Sequence, residues 1–158
     1  MPAYPAAVEA LLATPHPVAL GPGAPPAHLR AAIAAACTDL PSAARAGLWL
    51  RFDFLHEAHE VCQEDEGAPD RDFWHAVMHR REPDAANAKY WWRRVGAHPV
   101  LEQLRARAPE AGYAYSTPQT FVDFCEKVRD SGTAGEEIAK HVQQFEWELM
   151  FAWCASAV

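Results

Sequence analysis

The chain has 158 residues, half of them apolar and about a fifth charged, with a net charge of −7 at pH 7 and a sequence pI near 5.6. That length fits one domain with a buried core, and that composition excludes a disordered chain. The acidic balance excludes a general nucleic-acid binder, which needs a basic face.

Residues 1–27 are rich in Pro, Ala and Gly and read as an arm with one short helix over Ala6 to Ala13, because Pro removes backbone donors and disfavours helix at the preceding residue. A helix over about Ala27 to Leu40 carries Leu29, Ile33 and Cys37 at helical spacing. The next is read as one long helix, Ser42 to Asp65, capped by Ser42 after Pro41. Its apolar stripe is Leu48, Phe52, Leu55, His59 and Cys62, while Asp53, Glu57, Glu60 and Glu64 line a solvated face. After the turn at Gly67-Ala68-Pro69 a helix runs from about Asp70 to Arg81 and ends before Pro83. Phe73, Trp74 and Val77 make its apolar face, opposite Asp72, His75, His79 and Glu82.

Asp84 caps a helix over Ala85 to Val95, stopped by Gly96, and Pro99 opens another with Leu101 and Leu104 inward. Ser116-Thr117-Pro118-Gln119 has capping-box spacing and precedes a face of Phe121, Phe124, Cys125 and Val128. Thr133-Ala134-Gly135-Glu136 repeats that signature before a last long helix with Ile138, Val142, Phe145, Leu149 and Trp153 as its stripe. No alternating strand pattern and no repeat occur. The expected fold is all-α, a single-domain bundle of six to seven helices over residues 28–158 behind the arm.

Cys37, Cys62, Cys125 and Cys154 show no CxxC spacing and read as reduced, buried thiols. No basic stretch followed by an apolar run opens the sequence, and the uncharged run from Leu149 to Val158 is too short to span a bilayer. The expectation is a cytoplasmic protein with neither nucleic acid nor membrane as partner.

The chemistry concentrates between residues 69 and 98. Arg71 to Arg94 holds six basic residues against three acidic ones, a local charge of about +3 inside an acidic molecule. His75 and His79 stand four apart and share a helix face, so both can reach one ion. If the helices flanking Gly67 are antiparallel, residues equidistant from it meet, which pairs His59 with His75 and His56 with His79. Imidazoles and carboxylates on facing helices are how bundles hold transition metals. The candidate ligands are therefore His56, His59, His75 and His79, with Glu60, Asp72 and Glu82 as carboxylates in reach. The competing reading is a solvated polar face opposite Phe73.

A second constellation is cationic: Arg80, Arg81, Lys89, Arg93 and Arg94, with Trp91 and Trp92 between them and Asn87 one turn into its helix. Guanidinium forks and indole faces suit a small anionic ligand, or else they pair with carboxylates to hold helices together.

The block from His59-Glu60 through Trp74-His75, His79-Arg80-Arg81-Glu82-Pro83-Asp84, Asn87-Ala88-Lys89-Tyr90-Trp91 and Arg93-Arg94-Val95-Gly96-Ala97-His98-Pro99 resembles an uncharacterised family of small bacterial and fungal proteins. Phe121-Val122-Asp123 and Glu146-Trp147-Glu148-Leu149 are similar to that family's later segments. The resemblance implies a small protein of a recurring type, with no known activity.

The functional expectation is a metal-binding helical protein, with zinc, iron, manganese or nickel held by the histidines. As an enzyme it would use Glu60 or Glu82 as ligand or general base, and Arg80, Arg81, Asn87, Lys89, Trp91 and Arg94 to bind a small anionic substrate. The alternative is a non-catalytic module that binds a small anion or a partner protein through its Arg/Trp surface.

Overall fold

Helical apolar periodicity resolves into nine α-helices, with no strand, among residues 3–156, which the computed structural model describes. They are α1 (Ala6–Leu12), α2 (Arg30–Cys37), α3 (Ser42–Arg51), α4 (Leu55–Gln63), α5 (Pro69–Arg81), α6 (Ala85–Val95), α7 (Pro99–Arg107), α8 (Pro118–Val128) and α9 (Ala134–Ala155). Short 3-10 turns at Ala27–Leu29 and Ala108–Ala111 lead into α2 and out of α7. The count exceeds the expected six to seven chiefly because the expected helix over 42–65 is two. No helix is long and apolar enough to cross a membrane among the described residues.

The split lies at Phe52-Asp53-Phe54 and has a defined cause. Asp53 adopts a left-handed φ of 65°, its N–H donates to the Leu50 carbonyl, and the Phe54 N–H donates to the Trp49 carbonyl. This is the Schellman ending of a helix, closed by the edge-on contact of Trp49 with Phe54 at 5.4 Å between ring centroids. Asp stands where Gly is usual, and its carboxylate is occupied: Arg81 pairs with it, the Ala24 N–H donates to it at 3.1 Å, and His16 Nε2 lies 2.7 Å away. Asp53 is therefore buried, not on a solvated face.

Other helix ends follow the side chains more directly. Asp84 accepts from the Asn87 N–H at 3.1 Å to start α6, and Gly96 at φ 63° ends it. Thr117 and Thr120 cap α8 reciprocally, one residue on from the Ser116/Gln119 register of the sequence. Ser42 is the first helical residue of α3, preceded by Pro41, and supplies no side-chain cap.

Helix α5 is the axis. Every residue from Arg71 to Arg81 is buried, since α3, α4 and α6 pack around it and its last turn reaches α9. Phe73 and Trp74 are wholly enclosed, each contributing about 1.5–3 kcal/mol or more in hydrophobic burial. Gly47 lets α3 lie this close, because a Cβ there would fall 2.6 Å from the Trp74 ring.

The arm is built into the same core. Val8, Leu11 and Leu20 are buried, and the backbone of residues 16–21 is held at four carbonyls. Arg51 donates to His16, Gln143 to Ala19, Arg129 to Leu20 and Arg81 to Gly21.

Candidate metal centre

His59 comes from α4, and His75 and His79 from successive turns of α5. Their rings are 4.8 Å (59–75), 5.2 Å (59–79) and 4.8 Å (75–79) apart between centroids. One ring nitrogen from each lies within 4.8 Å of the other two. A tetrahedral ion with bonds of about 2.0–2.1 Å sets its nitrogens about 3.3 Å apart, a closure within reach of small side-chain rotations. His75 and His59 do not repel as cations. Burial and then the neighbouring His79 and His59 push His75 down to about 3, and burial followed by His79 lowers His59. Near neutral pH these two rings are uncharged and offer lone pairs.

His75 is 2 % exposed, and its Nδ1 has no hydrogen-bond partner. An unsatisfied buried nitrogen costs about 1–3 kcal/mol. The ring is clamped flat against Trp91, 3.8 Å away between centroids and 18° from parallel, with Arg94 over the indole at 5.3 Å. His79 is fixed from the other side, its Nδ1–H donating to Glu82 Oε2 at 2.7 Å. In the neutral ring this places the lone pair on Nε2, the arrangement by which a carboxylate orients a ligating imidazole. The Asn87 amide nitrogen lies 3.3 Å from that Nε2.

His56 and Glu60 are not brought to this cluster. With 100° of rotation per residue, Ala58 and Cys62 fill the inward face of α4, His59 stands at its edge, and His56 lies a further 60° round. The His56 side chain is 79 % exposed and pairs with Glu60 at 3.3 Å, out in solvent. Asp72 is also removed as a ligand, because it is buried, accepts from the Gly67 N–H at 3.0 Å and faces Arg94. Cys62 is a core thiol whose pKa burial pushes up to about 12.

The cationic constellation is mostly internal. Arg80 is wholly buried, forks onto Glu146 at 3.0 and 2.6 Å, reaches Gln143 at 3.1 Å and lies over the Phe121 ring. Arg81 pairs with Asp53 and donates to the Leu50 carbonyl at 2.9 Å. Lys89 pairs with Asp123 at 2.6 Å. Trp91 and Trp92 are buried, so the expected Arg/Trp surface is largely an interior. Of the arginines expected to bind substrate, Arg94 alone keeps a largely exposed side chain, and Asp72 stands 3.7 Å from it.

Two participants escaped the sequence reading. Asp84, expected as a cap and as a partner for the arginines, groups with His79 and Glu82 within 4.8 Å. Trp91, read as a ligand platform, is a clamp on His75; its spacing from His75 across Pro83 carries no helical signal. A groove of about 1240 Å³, bordered by Arg51, Asp70, Arg107, Trp147 and Trp153, lies elsewhere on the molecule. Comparison of the chain with protein-family models, curated proteins and solved structures gives no match.

Proposed function

We propose that His59, His75 and His79 hold one divalent transition-metal ion, and that the ion serves a reaction rather than the fold. The observation that carries this is the His75 Nδ1: uncharged, buried, unsatisfied, and beside two further imidazoles. Trp74 Nε1, Arg80 Nε, Trp92 Nε1 and Tyr115 OH are also buried without partners, but His75 alone among these residues belongs to a cluster of imidazoles able to share an ion. All-nitrogen donors suit zinc and nickel well; iron fits if Glu82 joins as a carboxylate, and manganese suits the set least. Three protein donors leave a coordination position open, which distinguishes catalytic from structural sites. A bound ion of this kind supplies Lewis acidity and makes bound water acidic. In this reading His79 is oriented by Glu82, and the Glu82 carboxylate, 44 % exposed, is the proton acceptor in reach of the site.

Elemental analysis of protein purified without a histidine tag tests it. About one equivalent of zinc, nickel or iron per chain is expected, lost in a His75→Leu variant that still folds. Protein that arrives empty and takes up no zinc, nickel or ferrous iron at micromolar concentration overturns the reading.

A further inference from the structure

We infer that the molecule admitted at the open side of the three-histidine site carries no negative charge; this rests on the metal reading above. His75 and His79 are buried, so solvent reaches the cluster past half-buried His59. The flanks of that approach carry carboxylates. Glu82 lies against His79 and, with Asp84, forms one group around it, both side chains exposed. Glu66, in the exposed turn after α4, and Glu82 are the negative charges acting on His59. Among the described residues no lysine or arginine pairs with Glu66, Glu82 or Asp84.

The cations expected to offset them are committed elsewhere. Arg80 is taken by Glu146, Arg81 by Asp53 and Lys89 by Asp123, while Arg94 lies over Trp91 with Asp72 beside it, and exposed Arg93 falls about 200° round α6 from Trp91, on the far side from the cluster. A mouth lined by one sign of charge concentrates ions of opposite sign and repels its own. The rim therefore draws in the metal cation and then disfavours anions. It leaves the open position to uncharged or cationic donors such as amines, amides and carbonyl compounds. This replaces the anionic substrate expected from the arginine cluster, because the competing reading, pairing with carboxylates, holds for Arg80, Arg81 and Lys89.

The test uses the full chain loaded with one equivalent of Co(II), whose visible absorption reports exogenous ligands. Azide is the anionic probe and imidazole the neutral one, titrated into the wild type and a Glu66→Gln/Asp84→Asn double variant. Asn keeps the cap on α6, since its side-chain oxygen still accepts from the Asn87 N–H. At low ionic strength the double variant is expected to bind azide at least about threefold more tightly, the gain shrinking in high salt, with imidazole affinity unchanged within about 1.5-fold. Equal azide affinities in the two proteins overturn the inference, as does cobalt that binds but accepts neither probe. Failure of the metal reading looks different: no cobalt absorption bands in either protein, or bands that persist in His75→Leu.

Discussion

Arg80 and His75 lie five residues apart on α5, 0 % and 2 % exposed. The arginine directs two of its three nitrogens at Glu146 and Gln143, leaving only Nε without a partner. The histidine is pressed between an indole and a second imidazole, with Nδ1 left without a hydrogen-bond partner. Both are buried polar side chains on one helix, yet the charge of the arginine is answered from within the protein and the lone pair of the imidazole is not. A satisfied buried charge is a fastening, and an unsatisfied buried lone pair points to something outside the chain. The sequence left two readings open for the arginines, ligand binding or carboxylate pairing, and the packing selects pairing for Arg80.

The contrast is testable by breaking each half. Arg80→Met strands Glu146 in the core and is expected to cost about 3–5 kcal/mol in urea unfolding, while the folded fraction keeps its metal. A fall below about 1 kcal/mol would remove the distinction. His75→Leu should do the opposite. It removes a donor and an unsatisfied nitrogen together, so stoichiometric metal is lost while apo stability stays within about 1 kcal/mol of wild type or rises. Glu82→Gln keeps the shape but weakens the acceptor on His79, and metal affinity should drop about 10–100-fold, with stability within about 0.5 kcal/mol. Competition with a chromophoric chelator measures it; an unchanged affinity would mean Glu82 does not orient the ligand.

The smallest effect per step is the pH dependence of the apo protein. His75 is pushed down to about 3 from an ordinary value of 6.5, and His59 is lowered too, both first by burial. Between pH 6.5 and 3 the unfolded chain holds the extra protons, so stability is full above 6.5 and falls as acid is added. The slope from His75 is at most about 1.4 kcal/mol per pH unit. Denaturant midpoints across that window should flatten in His75→Leu; an identical slope would locate the proton uptake elsewhere.

The helices were legible in the sequence because apolar spacing and capping residues carry local information. Asp84, Gly96, Thr117 and the Pro residues at helix starts bound their elements within a residue or so. The meeting of His59 with His75 and His79 was also legible, since equal distance from the Gly67 turn survives even when the first helix is cut. The cut itself was not. Asp53 has no glycine to announce a left-handed residue, and the reasons for its conformation sit at His16, Ala24 and Arg81. Nor could the partners of Arg80 be read, because Glu146 is 66 residues away and only the packing of α9 brings it close. His56 was misplaced by a rotation of some 60°, finer than a stripe of alternating steps resolves.

The clasped arm has a consequence in time. Residues 16–21 leave the ribosome early, but two of the side chains that seat them, Arg129 and Gln143, are translated more than a hundred residues later. Arg51 and Arg81 can hold His16 and Gly21 earlier, but closing such long loops is a late event in folding, and the contacts at Ala19 and Leu20 wait for α8 and α9. A nascent chain stalled within α7 would thus lack the partners of Ala19 and Leu20 and be cut more readily across this stretch than the finished chain.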